Sequence, residues 1–150
     1  MDFKPSLLAD LGATNARFAI TEDGLSYHNP KELKISEYNS MRDLCMGYLS
    51  SIKITNIRRA FIGVAAPVIG DVITFVNCDL EFNQSELKSS LFPDGLKVVN
   101  DLALQAHAVN LLEEVELEAI GQNFSDAEGP KVLVMPGTGL GMAGIVNEEV

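Results

Sequence analysis

The stretch Leu7-Leu8-Ala9-Asp10-Leu11-Gly12-Ala13-Thr14-Asn15-Ala16-Arg17-Phe18-Ala19-Ile20 reads as strand, tight turn, strand. Leu7 to Ala9 leads in, Asp10 to Asn15 makes the bend, and Arg17 to Ile20 leads out. Glycine at such a turn permits φ > 0 and has no Cβ to block a ligand. Successive backbone N–H groups can then converge on an anion, and the Thr14 hydroxyl adds a donor. The same device recurs near the other end of the chain. Val132-Leu133-Val134-Met135 runs into Gly137-Thr138-Gly139-Leu140-Gly141, and Met142 to Val146 runs out. Two such turns suit a polyphosphate gripped from two sides.

Beyond the first turn, Glu22-Asp23-Gly24 predicts a second turn and Tyr27 to Ile35 a third strand. Ser40 is placed to cap a helix whose Met41, Leu44, Cys45, Tyr48, Leu49 and Ile52 share one face. The apolar run Ala60 to Ala65 predicts a buried strand. Ile69-Gly70-Asp71 then turns into a further strand over Val72 to Val76. Asn83 with Glu86 three residues on resembles a capping box for a short helix ending at Leu91. Pro93-Asp94-Gly95 stops it, Leu96 to Val99 forms a strand, and Leu102 to Leu112 is helical by propensity. This alternation predicts an α/β fold, a mixed sheet with flanking helices.

Residues 1–112 then make one small N-terminal domain. The acidic run Glu113, Glu114, Glu116, Glu118 reads as a solvated connector. Residues 113–150 fall short of the roughly 40 residues that an unassisted domain needs. They read as the opening strands of a second, incomplete domain.

With 150 residues, 47% of them hydrophobic, the chain can bury one real core. Its net charge of −10 argues against nucleic acid and anionic membranes as partners, which need clustered Lys and Arg. Cys45 and Cys78 lack ligand-like spacing and read as reduced thiols. The opening Met1-Asp2-Phe3-Lys4-Pro5 has no signal-peptide pattern, and no run approaches the ~18 apolar residues of a membrane span. A cytoplasmic setting is expected.

Two positions invite chemistry. Asp10 is a carboxylate at the end of an apolar strand, costly to desolvate without a partner. Mg²⁺, met directly or through water, is one partner. Arg17 is another, unless it lies near the phosphates instead. Asn100-Asp101 falls where a strand meets a helix N-terminus, the usual ligand edge of open α/β sheets. Asp101 reads either as a helix cap or as a carboxylate kept ionised by the helix dipole, able to take a proton from a substrate hydroxyl. His107, among alanines, reads as packing, and Ala65-Ala66-Pro67 as a tight bend that can wall a pocket.

In this order the motifs resemble the bacterial ATP-dependent glucokinases, of the actin-like, ribonuclease H-like sugar-kinase fold. Leu8 to Phe18 is similar to that family's first phosphate motif. Ala65 to Asp71, Val98 to Asp101 and Gly137 to Gly141 follow as its later ones. The resemblance implies phosphoryl transfer from ATP, with Mg²⁺, to the 6-hydroxyl of glucose. It casts Asp101 as the base, Asn100 and Asp101 as sugar ligands, and Asp10 as the residue facing Mg²⁺. Ala9, Asp10, Leu11, Gly12, Ala13, Thr14 and Asn15 would bind ATP, with Gly137, Thr138 and Gly139 as the second phosphate turn.

Ala13 departs from the family, which often has a second glycine there. Members are also about twice as long, so the chain reads as an N-terminal half, inactive by itself and belonging to a homodimeric enzyme. A sugar-responsive regulator of the same fold, or another ATPase of that fold, is the rival reading. The apolar faces of the last strands lead us to expect self-association of the fragment.

Overall fold

The computed structural model describes residues 4–76, 78–121, 129–136 and 140–146. The chain divides into two compact units, Met1–Asp101 and Leu102–Val150.

The first unit is built on a five-stranded sheet. Strands β1 (Ser6–Leu11), β2 (Asn15–Thr21) and β3 (His28–Lys34) form the meander that the sequence predicts. After helix α1 (Met41–Ser51) the chain returns as β4 (Arg59–Val64) on the other side of β1, and β7 (Gly95–Asn100) joins beyond it. The spatial order is therefore β3-β2-β1-β4-β7, with β1, β4 and β7 mutually parallel. Strand alternation assigns the two faces. Leu7, Ala9 and Leu11, Ala16, Phe18 and Ile20, and Ala60, Ile62 and Val64 all bury one face. Edge strand β3 carries Pro30, Lys31 and Lys34, residues that discourage pairing with another chain.

Helix α1 covers the buried face. Ser40 caps it, its hydroxyl accepting from the Asp43 amide at 3.1 Å. Met41, Leu44, Cys45, Tyr48 and Leu49 point inward, as their spacing predicts. Tyr48 stacks on Phe18 at 5.0 Å and donates its hydroxyl to the Asn29 carbonyl. Burial pushes the Cys45 thiol up to about 12, so it is a core residue and no nucleophile at neutral pH. Gly47 lets the Tyr38 ring lie against the helix, where an added Cβ would come within 2.5 Å of the ring. An alanine usually gains about 1 kcal/mol in a helix interior, but overpacking costs about 1–3 kcal/mol. Gly47→Ala is thus expected to lower the thermal unfolding midpoint, and the same change combined with Tyr38→Ala to raise it relative to Tyr38→Ala alone.

Helix α2 (Gln84–Ser90) starts as predicted, with the Asn83 side chain accepting from the Glu86 amide at 2.9 Å. The strand after Gly70 is shorter than predicted, β5 (Val72–Thr74), and leaves the main sheet to pair with β6 (Glu81–Asn83). Three residues carry too little alternation to mark β6, and its last residue serves as the cap of α2.

Helix α3 (Asp101–Val109) leads into the second unit and stops three residues short of the predicted Leu112. His107 is exposed in its last turn and does not pack. Strands β8 (Lys131–Pro136) and β9 (Leu140–Ile145) pair antiparallel, the second strand-turn-strand of the sequence. Val132, Val134, Leu140 and Met142 share one solvent-exposed face of this hairpin. Gly141 faces Leu102, whose side-chain carbons would lie 2.5–3.3 Å from a Cβ there. No helix among the described residues is long and apolar enough to cross a membrane.

Candidate active site

The three parallel strands end flush. Leu11 pairs with Val64, and Val64 with Asn100, in one row across the sheet. From β1 the chain runs outward through β2 and β3, then back to β4 on the opposite side. The C-terminal edge between β1 and β4 is therefore a topological switch point, where ligands bind in open α/β sheets. The turn Gly12 to Asn15 leaves this edge from β1, and Asn100-Asp101 leaves it from β7. Two inter-strand spacings separate them, ~10 Å.

The turn residues differ in what they can offer a ligand. Ala9 and Leu11 point into the core and are paired in ladders on both sides, so they hold the turn rather than offer side chains to a ligand. The Gly12 amide donates to the Asn15 carbonyl at 3.0 Å, closing the turn on itself. The φ of Gly12 lies outside the left-handed region, and a Cβ there would sit 3.4 Å from the Asn15 oxygen. Backbone freedom is thus not what Gly12 supplies; open space over the turn is. Ala13 also has no positive φ, so the departure from a second glycine costs no strain. Ala13 and Thr14 form the tip, and the Thr14 carbonyl accepts from Ile35 to anchor it. Beside the tip lies a cleft of about 450 Å³, with Ser36, Asn39, Cys78 and Asp79 on its far walls.

Asp10 is not buried. It lies on the open face of the sheet, directly opposite Arg17 on β2, with Arg17 Nη1 3.4 Å from its Oδ2. Of the two readings of Arg17, ion pair or phosphate neighbour, the structure therefore shows the pair. Arg17 in turn faces Glu32 on β3, Nε to Oε2 at 3.1 Å. These two carboxylates raise the Arg17 pKa, the hydrogen bond to Glu32 most of all. Among the described residues no three His, Cys, Asp or Glu side chains cluster to hold a metal. A lone carboxylate still fits Mg²⁺, which keeps its waters and takes one or two protein carboxylates plus substrate phosphates.

Asp101 opens α3 as its first helical residue, and Asn100 is the last residue of β7. The Asn100 side-chain Nδ2 donates to the Ala66 carbonyl at 3.1 Å, while the Ala65 backbone N–H donates to the Leu11 carbonyl at 2.9 Å. The bend Ala65-Ala66 is thus tied to the ends of both β1 and β7. Gly137, Thr138 and Gly139 lie outside the described residues. A concavity of about 510 Å³ beside Leu8, Phe61 and Tyr27 sits at the opposite end of the parallel strands, away from these motifs.

The glucokinase family model matches residues 7–150. The chain belongs to the glucokinase family. The glucokinase of Ralstonia nicotianae is 37% identical over 149 residues, 97% of this chain and 44% of the relative. The crystal structure of glucokinase from an Antarctic psychrotroph has a TM-score of 0.80 at 29% identity, covering 96% of this chain and 47% of that one. A ROK family glucokinase from Streptomyces griseus, solved with glucose and AMPPNP, has a TM-score of 0.63 at 17% identity, over 97% of this chain and 46% of that one. That last likeness shows the fold alone. The fold is that of the actin-like sugar kinases. This glucokinase-family chain spans less than half the length of the curated relatives it matches.

Two features of this glucokinase-family site escape a sequence reading. Glu32 sits in a strand of mixed polarity where nothing marks it, and only the register of β2 against β3 brings it to Arg17. The link from Asn100 to Ala66 spans 34 residues and depends on β4 and β7 being neighbours.

Proposed function

We propose that the chain is the N-terminal half of a cytoplasmic glucokinase that transfers the γ-phosphoryl group of ATP to the 6-hydroxyl of glucose. Residues 1–112 would be its small domain and 113–150 the start of its large one. The observation that carries this reading is the shared edge. The Gly12–Asn15 turn and Asn100-Asp101 end parallel strands that flank β4, ~10 Å apart, at the switch point of the sheet. The Streptomyces griseus protein of the same fold, with glucose and AMPPNP bound, supports the ligand pair.

In this reading glucose lies over the Ala65-Ala66 bend, with Asn100 binding it and its 6-hydroxyl on Asp101. As the bond from O6 to the γ-phosphorus forms and the bond to ADP breaks, the hydroxyl proton passes to the Asp101 carboxylate. A positioned base of this kind is worth roughly 10²–10⁴-fold. The tip amides of Ala13 and Thr14, with the hydroxyl of Thr14, hold the terminal phosphates, and Gly137, Thr138 and Gly139 would be a second phosphate-binding turn. Asp10 would face Mg²⁺, which when bound offsets phosphate charge. Most of the remaining acceleration comes from positioning and electrostatics, as phosphoryl transfer requires.

The full-length enzyme is expected to be a homodimer and to release ADP only when glucose is present, measured in a coupled assay with glucose withheld as the control. ADP release at the same rate without glucose would leave an ATPase of this fold and remove the sugar kinase. The fragment by itself is expected to be inactive.

A further inference from the structure

Glu32, Arg17 and Asp10 stand in one row on the open face, each directly opposite the next on adjacent strands. The guanidinium is shared unequally. Its Nε donates to Glu32 at 3.1 Å, while Nη1 reaches Asp10 at 3.4 Å, a long contact for a charge-assisted bond. The next residue along the row, on β4, is Gly63, so no side chain crowds Asp10 from that side. All three charged groups are about half exposed or more, so each pair alone contributes little to stability. The row's unequal sharing therefore bears on what Asp10 can release, more than on folding.

We propose that Glu32 is a positioning residue for nucleotide binding: it draws Arg17 toward the edge strand and so keeps the Asp10 carboxylate available to a divalent cation. This rests on the reading of Asp10 given above. Asp10 with Arg17 alone would be a closed neutral pair. A cation arriving there would have to strand the guanidinium. With Glu32 in the row the three groups sum to one negative charge, and Arg17 keeps a partner when Asp10 turns away. The row thus favours the metal–nucleotide complex over the bare, more anionic nucleotide.

The test is the ratio of AMPPNP affinities measured by calorimetry with Mg²⁺ and with a chelator, on the full-length protein. Glu32→Gln is expected to shrink the preference for the Mg²⁺ complex at least threefold, because Arg17 then closes on Asp10 and is also freer to meet bare phosphates. Glu32→Asp, which keeps the charge, should retain most of the preference. Glu118→Gln removes one charge from an exposed position elsewhere and should leave the ratio unchanged. A ratio for Glu32→Gln equal to that of the parent protein overturns the role of Glu32. Asp10→Asn separates the two levels. If it abolishes the Mg²⁺ preference while Glu32→Gln does not alter it, only the positioning role fails. If Asp10→Asn keeps the full preference, the metal reading of Asp10 fails as well.

Discussion

Asp101→Asn in the full-length enzyme is expected to lower kcat at least ~10²-fold while glucose affinity changes only a few-fold. Asparagine matches aspartate in shape and can still hydrogen-bond a sugar hydroxyl, but it cannot accept a proton at neutral pH. The loss should therefore fall on the chemical step and spare binding. A hundredfold loss corresponds to about 2.7 kcal/mol of transition-state stabilisation. The fold should tolerate the change. Asparagine keeps the size and much of the hydrogen-bonding capacity of aspartate, and the attraction between a carboxylate and the helix dipole that it gives up at the first helical position is about 0.3–1 kcal/mol. Single-turnover phosphoryl transfer and calorimetric glucose titration on the same preparation separate the two effects. Near-normal turnover would remove Asp101 from the base role and leave it a residue of the helix start.

The second large effect is expected at Gly12. Its φ is one that alanine adopts without strain, and a Cβ would make ordinary van der Waals contact with the Asn15 carbonyl. Gly→Ala at a compatible conformation stabilises by about 0.4–1 kcal/mol, through the unfolded chain. Gly12→Ala should therefore leave the unfolding midpoint unchanged or slightly higher. Its methyl group would instead stand over the turn where a phosphate must approach. The affinity for Mg²⁺–AMPPNP is expected to fall about tenfold or more, roughly 1.4 kcal/mol. Opposite movement of the two readouts, stability held and affinity lost, is the signature of a ligand-facing glycine. A lowered midpoint with unchanged affinity would show that Gly12 serves the turn alone.

The meander, α1 with its Ser40 cap, the buried strand at Arg59–Val64, and the Asn83 cap of α2 were all legible in order along the chain. Each is set by neighbours a few residues away, through alternation, helical spacing or a side chain bonding its own backbone. The same local rules failed where a partner strand decides the outcome. Residues Glu81–Asn83 become a strand only because Val72–Thr74 lies opposite them. Phe75 and Val76 show the converse, since both read as strand by residue type yet lie beyond the end of β5.

The site divides along the same line. Which residue types gather at the chemistry was determined by sequence alone: a glycine-threonine turn after an apolar strand, and Asn100-Asp101 between a strand and a helix. What those residues do beside one another was decided by tertiary structure. Only the order β1-β4-β7 brings the turn and Asp101 to one edge, and only the register across β1, β2 and β3 binds Asp10, Arg17 and Glu32 into a row. Spacing along a chain specifies local conformation, whereas pairing between distant strands specifies which charges share a face. A shift of one residue in that register would send the whole set to the other side of the sheet.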